Sequence, residues 1–158
     1  MIFNADAGAL TIWTWHIWSS LAPDTLYAFL RLRSDIFVVE QNCVFPDMDG
    51  VDPQCEHLCG HDAQGQLLAY LRLVPPGIKA PQPALGRLVV SQHARGRGLS
   101  RLAIHEGLQR CATQYPAQAV FLSGQQHLAP LYASLGFVTI SAPYLDDGIW
   151  HVNMLRPA

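Results

Sequence analysis

The spacing of hydrophobic and polar residues changes several times along the chain. Short apolar runs that alternate loosely, or that are rich in β-branched and aromatic residues, are typical of strands. Such runs occupy residues 10–18, 55–61, 66–74, 84–90, 119–123, 137–141 and 148–155. The four-residue segment DAQG between the second and third runs predicts a hairpin.

Helical spacing replaces this pattern in three places. A first helix begins near Asp24, and the segment 35–41 continues it or forms a short helix of its own. A second helix begins at Leu99, because its apolar residues share one face: Ile104, Leu108, Cys111 and Tyr115. A short third helix runs from His127 to Leu135, with Pro130 in its first turn. The order of these elements predicts an α/β fold with a mixed sheet.

Composition narrows the classes of function. The chain has 158 residues, 50% of them hydrophobic and 14% charged, so residues 1–158 are predicted to form one globular domain. The net charge of −2 gives no basic surface for nucleic acid. No run of 18 apolar residues predicts a membrane span. The low charge leaves apolar surface that a second copy could cover, so a homodimer is compatible with the sequence.

The expected location is the cytoplasm. The N-terminal segment MIFNADAGALTIW lacks the basic start and the clean apolar stretch of a signal peptide. Four cysteines are present, and without an export signal reduced thiols are the simplest interpretation.

The segment ARGRGLSR (94–101) combines two glycines and three arginines between a predicted strand and a predicted helix. The first amides of a helix have no partner inside it, and the helix dipole favours negative charge there. Glycines let the backbone approach a ligand closely. The segment therefore predicts a phosphate site, although it lacks the lysine of a P-loop and the third glycine of a dinucleotide-binding turn.

Two motifs resemble those of the GNAT family of N-acetyltransferases. Residues 95–100, RGRGLS, resemble motif A of that family, with Ser100 where a glycine or alanine is usual. Residues 131–137, LYASLGF, resemble its motif B. The segments LRLRSDIFVVEQNC, DMDGVD and YLDDGIWH are similar to those of the ElaA-like branch. The resemblance implies a GNAT-type fold: a mixed, largely antiparallel central sheet that is splayed between two strands and flanked by helices.

The resemblance also implies a co-substrate, acetyl-CoA, whose pyrophosphate would lie on the backbone amides of residues 96–101. The pantetheine arm would run along the strand that contains Leu88, Val89 and Val90, and the amide of Val89 or Val90 would face the developing oxyanion. The residues implied around the phosphates are Arg95, Gly96, Arg97, Gly98, Leu99, Ser100 and Arg101. Gln125 either contacts the co-substrate or caps a turn.

The implied reaction transfers an acetyl group to an amine, on a small molecule or a peptide, by direct attack in a ternary complex. Tyr132 matches the general acid of the family, although its position also suits a core tyrosine. An amine that is protonated at neutral pH needs a base. Glu40 and His57 are the two candidates, and a raised pKa is expected for Glu40 beside an apolar wall and other carboxylates.

Three further residues are expected on the acceptor side: Asp52, Tyr144 and His151. The segment that contains the last two residues either lines the acceptor site or forms a hairpin with a turn at Asp147 and Gly148.

Two other functions compete with acetyl transfer. A protein that kept the acyl-CoA site without turnover would be a binding module. The segment CEHLCGH (55–61) would suit a zinc-dependent hydrolase, because it holds four soft ligands. However, alternate side chains of one strand lie along a line about 6–7 Å apart, whereas tetrahedral zinc needs converging ligands. No metal is therefore expected.

Overall fold

A sheet of eight strands organises residues 10–158, which are the residues that the computed structural model describes. The strands follow the spatial order β1–β2–β3–β4–β5–β8–β6, and β7 also pairs with β8. Their bounds are β1 Ile12–Ile17, β2 Glu56–His61, β3 Leu67–Val74, β4 Ala84–Val90, β5 Val120–Gln125, β6 Val138–Thr139, β7 Tyr144–Asp146 and β8 Ile149–Arg156.

The sheet is antiparallel except at its centre, where β4 and β5 run parallel. These two strands share one register pair, Ala84 with Phe121, and the amide of Phe121 donates to the carbonyl of Pro83 at 2.9 Å. Beyond this point the strands diverge, and a cavity lies between them. The structure therefore confirms the predicted splay in a mixed, largely antiparallel sheet.

The helices begin and end close to their predicted bounds. They are α1 Pro23–Arg33, α2 Leu99–Gln114 and α3 Ala129–Ser134, and a π-helical segment, Ser34–Glu40, continues α1. Proline in the first turn of α1 and of α3 leaves no internal hydrogen bond unmade, because amides there have no helical partner.

Helix α2 packs closely on the sheet at Gly107. A β-carbon built at this glycine would lie 2.7 Å from Cδ2 of Leu71 in β3, so a larger side chain would require the leucines beneath it or the helix to shift. The predicted apolar face of α2 is confirmed, because Ile104 and Cys111 are buried and Leu108 packs against the same core cluster.

The two faces of the sheet carry separate parts of the core. Leu71 of β3 packs in a cluster with Ile104 of α2 and Tyr132 of α3. Its neighbour Tyr70 packs in another cluster with Phe29 of α1. Because successive side chains of a strand point to opposite faces, α1 lies on one side of the sheet and α2 with α3 on the other.

The C-terminal strands differ from the prediction. The predicted strand 137–141 is reduced to β6, Val138–Thr139. Strand β7 is additional, and it forms a hairpin with β8 through Asp147 and Gly148, which have φ values of 48° and 79°. The predicted turn at these two residues is therefore confirmed. No helix in residues 10–158 has the length and apolar character that crossing a membrane requires.

Candidate active site

A cavity of about 600 Å³ opens where β4 and β5 diverge. Leu88, Val89 and Val90 line it from β4, and Ser123, Gly124 and Gln125 line it from β5. One edge of β4 pairs with β3, and its other edge pairs with β5 only at Ala84. Beyond Ala84 the backbone groups of this second edge are therefore free for a ligand that lies in the gap. The cavity therefore suits an extended, amide-containing chain.

The turn before α2 has the geometry that an anion site needs. Gly96 and Gly98 have φ values of 79° and 73°, a region that residues with a side chain rarely adopt. A β-carbon built at either glycine meets no atom within 4 Å, so the space above the turn is open. Among residues 10–158, no backbone carbonyl accepts a hydrogen bond from the amides of residues 96–101. These amides are therefore available at the helix N-terminus.

The side chains of this turn differ in their placement. Arg95 and Ser100 line the cavity, whereas Leu99 is buried in a core cluster and contributes only its backbone to the turn. Arg97 is exposed, and its Nη2 donates to the carbonyl of His93 at 3.3 Å. Arg101 is exposed on the first turn of α2.

Arg95 forms a two-pronged ion pair with Glu40. The distances from its Nη1 and Nη2 to the two carboxylate oxygens are 2.6 and 2.5 Å. The hydrogen bond from Arg95 lowers the pKa of Glu40 below its ordinary value. The expected raised pKa was therefore wrong, because the arginine stabilises the ionised form. Glu40 lines the cavity, but as the ion-pair partner of Arg95 in the glycine turn.

Gln125 lies at the end of β5 and lines the cavity, and its Nε2 donates to Oε1 of Gln41 at 3.1 Å. The alternative role as a cap is not seen, because the segment that follows it has no side-chain cap at this residue. Gln125 thus presents an amide side chain to the same space as Leu88 and Val90.

Tyr132 lies on α3 and reaches the cavity across β5. Its ring packs on Gly124, where an added β-carbon would lie 2.5 Å from Cε2 of the tyrosine. The hydroxyl forms no hydrogen bond with any side chain or carbonyl of residues 10–158. Burial raises the pKa of Tyr132 to about 12, so the phenol keeps its proton at neutral pH.

A second cavity of about 360 Å³ adjoins the first. Six residues line both cavities, so the two spaces meet at the splayed strands: Leu85, Gly86, Arg87, Ser123, Asp146 and His151. Tyr144 lines the second cavity, and its hydroxyl bonds to Asn153 Oδ1 at 2.6 Å and to Ser123. The hairpin of β7 and β8 therefore forms a wall of this cavity, so the two interpretations of this segment are compatible.

The tautomer of His151 follows from its partner. Its Nδ1 lies 2.8 Å from the carbonyl oxygen of Ile149, which can only accept a hydrogen bond. Nδ1 must therefore carry the proton, and in the neutral ring Nε2 has a free lone pair. His151 is thus a candidate proton acceptor at the junction of the two cavities.

Known proteins resemble this chain along most of its length. A family model described as an acetyltransferase (GNAT) domain matches residues 51–156. Protein ElaA of Escherichia coli is 36% identical over 140 residues, which cover 87% of this chain and 91% of ElaA. The chain belongs to the GNAT acetyltransferase family.

Solved structures place it in the ElaA-like branch of that family. The crystal structure of an acyl-CoA N-acyltransferase from Pseudomonas aeruginosa is 40% identical, with a TM-score of 0.88 over 93% of this chain and 99% of that chain. Crystalline E. coli ElaA is 34% identical, with a TM-score of 0.87 and the same coverage. Membership of the GNAT family makes acyl transfer from an acyl-CoA the general class of activity.

His57 and Asp52 do not line either cavity, contrary to the expectation. His57 is fully buried, with its ring stacked on Phe29 at 4.8 Å between ring centres, and both ring nitrogens are in use. Its Nδ1 lies 2.7 Å from the hydroxyl of Tyr70, and its Nε2 lies 3.0 Å from the carbonyl of Asp52. A ring with no exposed nitrogen cannot reach an acceptor amine directly, so His57 is a structural residue of this GNAT fold.

Asp52 instead belongs to a buried charge network. Arg33, which is fully buried, bonds to Asp52 at 2.8 Å and to Asp47 at 2.9 Å. Arg72 bonds to Asp52 at 3.0 Å and to Asp49 at 2.9 Å. The network fixes the loop between α1 and β2 against the sheet. Buried arginines need such partners, because an unpaired charge in the interior is strongly destabilising.

Arg87 is a residue of this network that the sequence interpretation missed. It interrupts the apolar strand ALGRLVV, lines both cavities and has φ of 50° at a register shift between β3 and β4. A charged residue within a strand that reads as buried was the available signal, because such residues are rarely buried without a partner.

The segment CEHLCGH provides no metal site. Among residues 10–158, no group of three or more His, Cys, Asp or Glu side chains could hold a metal ion. Cys55 and Cys59 are buried free thiols, and burial raises the pKa of Cys59 to about 12. These cysteines pack as apolar residues, and the zinc-dependent hydrolase has no support from the described residues.

Proposed function

We propose that the chain transfers an acetyl group from acetyl-CoA to an amine by direct attack in a ternary complex. The observation that carries this proposal is the meeting of two cavities at the splay of β4 and β5, one below the glycine turn and the other beside Asp146 and His151. Two substrates that enter separate cavities can meet without a covalent enzyme intermediate.

The turn at residues 96–101 would hold the pyrophosphate of acetyl-CoA. Its free amides and the dipole of α2 favour a negative group, and no side chain fills the space above Gly96 and Gly98. The pantetheine arm would bond to the open edge of β4 along Leu88, Val89 and Val90. The amide of Val89 or Val90 would then stabilise the oxyanion.

His151 is the base that fits this geometry better than Glu40 or His57. The amine must lose a proton, and the free Nε2 of His151 lies where the acceptor cavity meets the donor cavity. The amine lone pair attacks the thioester carbon, and the carbon–sulfur bond breaks. Nε2 takes the first proton from the ammonium group and releases it to solvent, and after the attack it takes the second proton from the same nitrogen. Tyr132 donates its proton to the leaving thiolate and regains one from solvent.

Titration calorimetry with acetyl-CoA, followed by a thiol-release assay with a panel of amines, tests the proposal. Gly98→Glu should abolish binding of coenzyme A, because a carboxylate would occupy the phosphate position. Arg31→Gln is the matched control, since this exposed arginine on α1 lines neither cavity. Unchanged coenzyme A affinity in Gly98→Glu would contradict the assigned donor site.

A non-catalytic acyl-CoA-binding module is the alternative, and the same experiment separates the two functions. Such a protein would bind acetyl-CoA and release no thiol with any amine.

A further inference from the structure

The second cavity is more polar than the first and carries several cationic side chains. Arg72, Lys79 and Arg87 line it on one side, and Asp146 and His151 line it on the other. Its volume of about 360 Å³ suits a small molecule. The wall of cations has no role in binding a simple amine, which would itself be positively charged before it reacts.

The cations exceed the carboxylates that pair with them. Arg33, Arg72, Arg87 and Lys79 form ion pairs with three carboxylates, those of Asp47, Asp49 and Asp52, so one positive charge of this group is unmatched. Asp146 lines the same cavity but forms no ion pair with any of these cations. Asp49 is shared most heavily, because Arg72, Lys79 and Arg87 all lie within 3.5 Å of its Oδ2. An additional monoanion in the cavity would balance the group.

Arg87 is the least well satisfied member. Its Nη2 donates to the carbonyl of Asp47 at 3.0 Å, but its Nε, 2.9 Å from Asp47 Oδ1, lacks the alignment of a hydrogen bond. No described residue accepts a hydrogen bond from its Nη1. Burial and the neighbouring charge of Arg72 lower the pKa of Arg87 and outweigh the charges of Asp47 and Asp49, in agreement with its incomplete set of hydrogen bonds.

The backbone of Arg87 is also held in an unfavourable conformation. Its φ of 50° costs a residue with a side chain roughly 1–2 kcal/mol. The register shift between β3 and β4 and the stacking of the guanidinium 5.7 Å from the centre of the Phe45 ring fix this arrangement. The result is a rigid guanidinium at the junction of both cavities, which is the form suited to two-pronged binding of an oxyanion.

We propose that the acceptor is an amino acid, whose carboxylate binds to Arg87 and Lys79 while its amine lies at His151 and Asp146. This inference rests on the proposed function and names its substrate class. A carboxylate fits better than a phosphate, because the unmatched charge is one and a phosphate monoester carries nearly two negative charges at neutral pH.

Matched pairs of acceptors test this inference. Thiol release from acetyl-CoA is measured with the common amino acids, β-alanine and γ-aminobutyrate, and with the corresponding amides and decarboxylated amines. At least one amino acid should be acetylated with kcat/KM roughly ten or more times that of its partners that lack the carboxylate, on the order expected for a charged hydrogen bond. In Arg87→Gln the ratio of kcat/KM for the amino acid to kcat/KM for its partner without the carboxylate should fall toward one. Lys79→Gln should reduce this ratio less.

Arg87→Lys should restore part of the preference, and Arg31→Gln should leave it unchanged. The KM for acetyl-CoA should change little in all four variants, which separates loss of the anion site from misfolding. A decarboxylated amine that is acetylated as well as its amino acid, or a preference that survives in Arg87→Gln, would overturn the inference and leave acetyl transfer intact. Binding of acetyl-CoA without acetylation of any amino acid would overturn it too.

Discussion

Tyr132 combines features of a core residue with features of a proton donor. The sequence allowed either a core tyrosine or a general acid, and the structure supports features of both. The ring is packed on Gly124, while the hydroxyl has no partner among the described residues and lines the cavity. Burial raises the pKa of Tyr132 to about 12, so the phenol keeps its proton at neutral pH and can offer it to the leaving thiolate, although the raised pKa itself makes it a weaker acid.

Tyr132→Phe therefore should lower kcat by about 10²–10⁴-fold and leave the affinity for coenzyme A unchanged. The substitution keeps the ring against Gly124 and removes only the hydroxyl. Steady-state kinetics and titration calorimetry on the same preparation measure both quantities. A fully active Phe variant would return Tyr132 to a purely structural role.

Ala117 carries strain that has no connection with the cavities. It is exposed in the turn between α2 and β5 and has φ of 59°. Ala117→Gly should raise the free energy of unfolding by about 0.5–1 kcal/mol, because glycine adopts this region without the penalty of a β-carbon.

Ala112→Gly is the matched control for this substitution. This alanine is exposed inside α2, where glycine should lower the free energy of unfolding by about 1 kcal/mol. Urea unfolding of the two variants measures the sign of each change in the free energy of unfolding. A destabilised Ala117→Gly would show that the turn adopts another conformation.

At the scale of elements, the ion pair between Glu40 and Arg95 joins the π-helical segment to the turn before α2. A phosphate on that turn must compete with Glu40 for the arginine. Glu40→Gln should therefore strengthen coenzyme A binding by roughly 2- to 5-fold, in the range of an exposed ion pair. Titration calorimetry at low and moderate salt measures this change.

Asp35→Asn controls for the loss of one negative charge. Asp35 lies on the same segment and pairs with Arg31 on the surface, away from the turn. The affinity of the Asp35→Asn variant for coenzyme A should match that of the unsubstituted protein. Weaker binding in Glu40→Gln would show that Glu40 positions Arg95 for the phosphate instead of competing with it.

Elements with strong local signals were predicted well from the sequence. The strand 84–90 and the helix that begins at Leu99 match the structure, because apolar period and turn residues determine them locally. The partners of His57 and Asp52 were not predictable in this way. They depend on Arg33, Tyr70 and Arg72, which are distant along the chain, and only the packed sheet brings them together.

At the scale of the whole molecule, the buried charge network links the loop 47–52 to α1 through Arg33 and to β3 through Arg72. Burial raises the pKa of Asp52, but hydrogen bonds from Arg33 and Arg72 outweigh this effect, so its pKa lies below the ordinary value. A carboxylate whose pKa is lowered by folding stabilises the fold at pH values above its pKa in the unfolded chain, about 3.9. This contribution is lost as the pH falls through the pKa of the folded state. The network therefore limits stability only in strong acid.

His57 introduces a pH dependence that begins nearer to neutrality. Burial lowers its pKa and outweighs the backbone hydrogen bond and the charge of Asp52, which raise it; the charges of Arg33 and Arg72 act in the same direction as burial. At pH values below about 6.5, the pKa of histidine in the unfolded chain, the unfolded chain binds a proton at this residue and the folded chain does not. Stability should therefore fall as pH decreases from 6.5 to the folded pKa, by at most about 1.4 kcal/mol per pH unit.

Urea unfolding at several pH values between 8 and 5 measures this slope, and His57→Gln isolates its cause. Glutamine keeps hydrogen-bonding groups toward Tyr70 and Asp52 but cannot titrate. The free energy of unfolding of the variant should therefore change less with pH than that of the unsubstituted protein, whatever its absolute value. A residual slope remains from His16, whose pKa burial also lowers.

Ring signals of His57 in NMR spectra provide a second measurement on the unsubstituted protein. The ring should remain neutral to a lower pH than a free imidazole, because a cation at this position would be buried and would face two arginines. Equal slopes in both proteins, or a ring that titrates near 6.5, would show that the interior around His57 opens to water.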